Sequence, residues 1–109
     1  MGARAQVKIE EHGAAVYLYT HWGAGSIVET VKTALRKKWR WTDSEYLARI
    51  IFCQMVKGYE DEETGFGIGT EEHGDIEILV TVNIPNQTVT VKDVYVNSEQ
   101  VMTFEQFIS

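Results

Sequence analysis

The sequence predicts an α+β fold: an antiparallel sheet in the order ββααβββ with a short C-terminal helix, and two helices packed on one face. Three observations carry this. The extended stretches alternate apolar and polar residues, two amphipathic helical stretches follow one another closely, and neither a repeat nor a linker interrupts the chain. A length of 109 residues suits a single domain spanning 1–109 around one core.

The stretch "ARAQVKI" places Ala5, Val7 and Ile9 on one face and Arg4, Gln6 and Lys8 on the other. In "AVYLYTHW", Val16, Leu18 and Trp22 oppose Tyr17, Tyr19 and His21. Both read as half-buried strands, joined through "EHGA" in a tight hairpin because Gly13 takes positive φ at no steric cost. "SIVETVKTALRKK" opens with Ser26 and Glu29 at capping-box spacing and repeats Ile27, Val31, Ala34 and Leu35, predicting a helix from about residue 27 to 38. A second box, Thr42 and Glu45, opens a helix with Tyr46, Leu47, Ile50, Ile51 and Cys53 on its apolar face. The short "WRW" between them sets the helices side by side.

Beyond an acidic loop, "TGFGIGT" and "DIEILVTVNI" read as strands, the latter alternating through Ile76, Ile78, Val80, Val82 and Ile84. "PNQ" turns into "TVTVKDVYV", where a change of apolar parity between Val91 and Val94 predicts a bulge near Lys92 and Asp93. In "SEQVMTFEQFI", Val101, Phe104, Phe107 and Ile108 fall at helical spacing and form the terminal helix.

A hydrophobic fraction of 44% and a charged fraction of 24% are those of an ordinary globular protein. No apolar run reaches the length of a membrane span and "MGARAQVKIE" lacks an h-region, so a cytoplasmic protein without a membrane partner is expected. Gln6 stands where a myristoylation signal wants Ser or Thr. The single cysteine, Cys53, excludes an internal disulfide, and its neighbours Ile50, Ile51 and Phe52 predict a buried, slowly reacting thiol.

Net charge of −6 speaks against general nucleic-acid binding. The charge is nonetheless uneven: Lys32, Arg36, Lys37, Lys38 and Arg40 cluster, while "YEDEE" and "TEEHGD" collect acids later. The basic cluster either focuses a small anion or is a solvated helix end. Trp39 and Trp41 around Arg40 resemble an aromatic-interleaved nucleic-acid contact, yet at least one ring is expected to pack between the helices.

With the hairpin turning at His12 and Gly13, Arg4 opposes His21, Gln6 opposes Tyr19 and Lys8 opposes Tyr17. These six form a face away from the helices, whereas Trp22 belongs to the core side. Such a face can stack a planar ring, clamp phosphate and hydrogen-bond sugar or base edges. "GAG" before Ser26 adds flexible backbone beside the free N–H groups of a helix start, where an anion is favoured. The candidate ligand-binding residues are therefore Arg4, Gln6, Lys8, Tyr17, Tyr19, His21 and Ser26, with no carboxylate on the two strands to complete an acid–base pair. The same face also suits solvated sheet or contact with a second subunit in a homo-oligomer.

Other motifs carry less chemistry. "GFGIG" lacks the lysine of a P-loop and does not lead into a helix, which leaves a strand needing close backbone approach. His12 is a turn residue, and His73 beside Glu71 and Glu72 lacks the second histidine of a metal site. No triad order, HExxH spacing or carboxylate pair stands out, so no catalytic residue, cofactor or metal is assigned.

Together "GARAQVKI", "YLYTHWG", "RWTDSEYLARIIFCQM" and "TGFGIGT", spanning about Gly2 to Gly69, resemble a family of small uncharacterised proteins of bacteria, archaea and their phages. The resemblance implies an α+β domain of viral or mobile-element origin and brings no activity or site residues. Small phage proteins of this sort often bind a host protein or a nucleotide signal of host defence. The function expected is non-enzymatic binding or sequestration of a small anionic, nucleotide-like ligand. The alternative is an interaction or inhibitor domain that engages a basic host protein through an acidic surface.

Overall fold

The computed structural model describes residues 3–109, and Gly2, where lipidation would fall, lies outside them. The chain runs β1 (Ala5–Glu11), β2 (Ala14–Thr20), α1 (Ile27–Leu35), α2 (Ser44–Val56), β3 (Phe66–Gly69), β4 (Ile78–Asn83), β5 (Thr88–Asp93), β6 (Ser98–Thr103) and α3 (Phe104–Ile108). The strands form one six-stranded sheet in the order β3-β2-β1-β4-β5-β6.

The hairpin forms as the alternation predicts. His12 and Gly13 take φ of 52° and 85°, the two positive values that a two-residue loop needs to match strand twist. Gln6 then faces Tyr19 and Lys8 faces Tyr17 across the pair. On its other side β1 pairs with β4 in parallel, Val7 beside Val80 and Ile9 beside Val82, so the sheet is mixed rather than antiparallel. Alternation marks which face of a strand is buried; it carries no information on the direction of the neighbour.

Ala5, Val7, Ile9, Leu18, Val80 and Val82 meet Ile27, Val31 and Leu35 of α1, Leu47 and Ile51 of α2, and Phe104 and Phe107 of α3 in one core. Each fully buried large side chain contributes about 1.5 to 3 kcal/mol. All these strand residues share one parity, so the helices cover one face of the sheet, as expected.

The helix ends differ from the capping boxes. Ser26 makes no side-chain cap; its hydroxyl donates to Gly23 O at 3.4 Å, and Glu29 turns to Lys32 at 3.6 Å. The cap of α2 is Asp43, not Thr42, its carboxylate accepting from the N–H groups of Glu45 and Tyr46 at 3.0 Å each. The buried stripe of α2 is Leu47, Ala48, Ile50, Ile51 and Met55. Cys53 follows Ile51 by two positions, about 200° round the helix, and is exposed rather than buried.

No bulge forms near Lys92. β5 pairs continuously to Asp93, whose carboxylate accepts from the N–H groups of Tyr95 and Val96 and ends the strand in a turn. The change of parity is that turn, and residues 98–103, expected to be helical, return as β6. α3 keeps five residues behind a Thr103–Gln106 capping box.

β3 runs antiparallel to β2, so the chain must cross two strands to enter β4. It crosses on the face opposite the helices. The buried Gln6 carboxamide donates from Nε2 to Glu71 O at 3.1 Å and accepts at Oε1 from the His73 N–H at 2.8 Å. The His73 ring lies 4.6 Å from the Tyr19 ring, and Arg4 pairs with Asp75 at 3.5 Å.

Two outcomes test this architecture. Gln6→Ala strips two backbone groups of their partner and should cost about 1 to 2 kcal/mol, lowering Tm by about 5 °C or more; an unchanged Tm would show that the crossing segment does not depend on Gln6. Cys53 should react with a thiol reagent in the native protein nearly as fast as after unfolding, and protection by folding would contradict its outward orientation.

Candidate functional site

The hairpin pairs Gln6 with Tyr19 and Lys8 with Tyr17 in the expected register, whereas Arg4 and His21 lie just beyond the paired residues, and the face is not open. Gln6 is 1% exposed and Tyr17 is 9% exposed. The Tyr19 hydroxyl is 3.2 Å from His21 Nδ1, with the Tyr19 ring against His73. Both cations are engaged, Arg4 by Asp75 and Lys8 by Glu10 at 3.5 Å. Glu10 corrects the expectation that the two strands carry no carboxylate, because β1 continues past Ile9 to Glu11.

Burial works to lower the Lys8 pKa, yet Glu10 and Tyr17 beside it together hold the ammonium above its ordinary 10.5. Any stability linked to this raised value is present below pH 10.5 and lost only as pH rises through the higher folded value, well above neutrality. Lys8, Glu10, Tyr17, Thr70 and Asn83 border a hollow of about 430 Å³ whose charges are already paired. A phosphate entering there would displace Glu10 from Lys8.

A different cleft opens on the helix-covered side, where β2 ends and α1 begins. Thr20 and Phe66 lie opposite each other across β2 and β3, on the same face as Ala5. Trp22 follows two residues later. Its parity predicts a core position, but β2 ends at Thr20 and the ring stands 61% exposed at the rim. Gly65 makes room for it: a Cβ there would sit 2.6 Å from Trp22 Cζ3, and the φ of 105° is open to few other residues. His21 N–H donates to Gly65 O at 2.8 Å and closes this corner. The close approach expected in "GFGIG" is therefore at Gly65, since Cβ atoms at Gly67 and Gly69 would meet nothing.

The cleft has a volume of about 360 Å³ and is bordered by the rings of Trp22, Tyr59 and Phe66. Tyr59 comes from beyond the end of α2 and packs at 6.1 Å from Phe66. Ser26, Ile27 and Thr30 at the α1 start also line the cleft, as do Glu62 and Thr64. Of the seven residues selected from the sequence, Ser26 alone lines this cleft. Its hydroxyl leaves the first N–H groups of α1 without a side-chain cap, so the helix start keeps the partial positive charge that attracts anions.

Sequence patterning misses Trp22, Tyr59 and Phe66 because they come from a strand end, a helix exit and an edge strand. The glycine at position 65, read in the sequence only as close backbone approach, accommodates a ring rather than a phosphate. Among the described residues, no three His, Cys, Asp or Glu side chains are grouped to hold a metal ion, and His73 lies against Tyr19. No described helix is long and apolar enough to cross a membrane. Compared with known proteins, the chain matches no family model, no curated protein and no solved structure.

Proposed function

We propose that this is a non-enzymatic protein that binds or sequesters a small anionic, nucleotide-like ligand, seated in the Trp22 cleft rather than on the hairpin face. The supporting observation is the meeting of three aromatic rings with the uncapped start of α1 in one cleft of about 360 Å³. That volume lies at the small end of the roughly 300 to 1,000 Å³ range of ligand sites and suits a single nucleotide. A planar base stacks on Trp22 or Tyr59, phosphate oxygens accept from the α1 N–H groups and from the Ser26 hydroxyl once it leaves Gly23 O, the Thr30 hydroxyl stays with Ser26 O, and Glu62 accepts from a sugar hydroxyl or a base N–H. Hydroxyls and one carboxylate line the cleft without a histidine or lysine, which supports binding without bond cleavage.

A second reading has its own support. Glu60, Asp61, Glu62 and Glu63 precede β3 and Glu71, Glu72 and Asp75 follow it, all exposed, which favours engagement of a basic host protein.

Calorimetry with mono-, di- and cyclic nucleotides separates the two. At least one nucleotide should bind, and Trp22→Ala should weaken it about tenfold, since stacking on an aromatic ring is worth roughly 1 to 3 kcal/mol. Ser26→Asp places a carboxylate in the anion seat and should weaken it similarly, while Arg4→Ala and Tyr19→Ala leave affinity unchanged. Absence of heat with every nucleotide, together with binding of a lysine-rich peptide, would favour the interaction domain.

A further inference from the structure

At the opposite end of α1 the chain reverses through "RKKWRW" without a glycine. Lys38 and Arg40 instead take φ of 59° and 58°, left-handed values that are costly for residues with a Cβ. The two tryptophans part company here. Trp41 turns inward, donating from Nε1 to Leu35 O at 3.2 Å and packing edge-on at 5.1 Å from Phe104. Trp39 turns outward and is 57% exposed, with Lys37 Nζ 5.0 Å from its ring centre. Beside it the Arg40 guanidinium lies 4.5 Å over the ring of Tyr46, itself exposed.

We propose that this basic and aromatic knuckle binds single-stranded nucleic acid. A base stacks on Trp39 and phosphates engage Lys37 and Arg40, with Arg36 and Lys38 joining from either side. The present contacts of those last two, Arg36 Nε to Ile108 O at 3.2 Å and Lys38 to Glu105 at 3.8 Å, are exposed and readily exchanged for phosphate.

An unpaired strand fits better than the other polyanions. A closed duplex presents no free base to an outward indole, and an acidic peptide would satisfy the cations but leave the Trp39 face uncovered. The net charge of −6 does not oppose a short contact. Glu60 to Glu63 lie beyond the far end of the 13-residue α2. That helix is about 20 Å long, more than two screening lengths of about 8 Å in physiological salt. Nearer at hand, Asp43 caps α2 and Glu105 pairs with Lys38, which leaves Glu45 as the exposed carboxylate in the first turn of α2.

The test is fluorescence anisotropy of a labelled oligothymidylate of about twelve nucleotides over a series of salt concentrations, beginning near 50 mM. Binding should fall with salt on a log–log slope of about −2.8, as four phosphate contacts give at roughly 0.7 each. Trp39→Ala should weaken binding about tenfold and Trp39→Phe restore most of it, because stacking needs a ring and not an indole. Joint replacement Lys37→Gln and Arg40→Gln keeps both rings and should flatten the slope by about 1.4. Tyr95→Ala, which removes an exposed ring in the β5–β6 turn outside both sites, should leave oligonucleotide binding unchanged. No binding near 50 mM salt, indifference to Trp39→Ala, or equal competition by polyglutamate would overturn the proposal, the last in favour of an acidic protein partner.

Discussion

The carboxamide of Gln6 stands at the middle of the sheet with both of its ends taken up by the backbone of a single connection. Pairing β1 with β4 in parallel obliges the chain to travel from one edge of the sheet back across β2 and β1. A segment lying on a sheet needs partners for its N–H and C=O groups, and Gln6 supplies them where water is excluded. Among the described residues no buried side-chain nitrogen or oxygen is left without a partner. The connection then sets His73 against Tyr19 and draws Asp75 to Arg4, so a face rich in ligand-like residues is partly covered.

With that face partly covered, concave surface remains at the margins. The helices do not extend over β3, where Ile68 stays exposed, and the gap between the α1 start and this edge strand is the Trp22 cleft. α1 offers positive character at both ends by different means. Uncapped N–H groups supply it beside Trp22, and lysine and arginine side chains supply it beside Trp39. Each end carries an outward indole. The acidic residues gather instead around β3 and the crossing connection. Under the two proposals made above, a chain of negative net charge offers an anion two separate places.

The α+β class, the hairpin and its register, the two amphipathic helices on one face and the inward packing of one of the paired tryptophans were all legible in the sequence. Each is a consequence of local periodicity or of a turn residue such as Gly13. Strand direction was not, because Ile78, Val80 and Val82 alternate identically in parallel and antiparallel pairs. The burial of Gln6 was hidden for a related reason: parity places it on the outer face, and only the path of a distant connection decides whether that face meets solvent. Trp22 failed as a core residue since alternation holds only while the strand lasts, and β2 stops at Thr20. Cys53 failed because an apolar neighbourhood in sequence is not a helical face. The site was legible only in the stretch "YLYTHWGAGSIVE", which does lead into the cleft, though through Trp22 and Ser26 rather than its tyrosines.

Amide hydrogen exchange at His73 tests the central role of the crossing connection most directly. Its N–H donates to a buried side-chain oxygen, while the amides of Glu72 and Gly74 on either side make no such bond. In the native protein the His73 amide should exchange at least about tenfold to a hundredfold more slowly than these neighbours, after correction for intrinsic rates. Exchange of all three at the rate of a free peptide would mean that the connection does not rest on Gln6 and that the outer face of the hairpin is open.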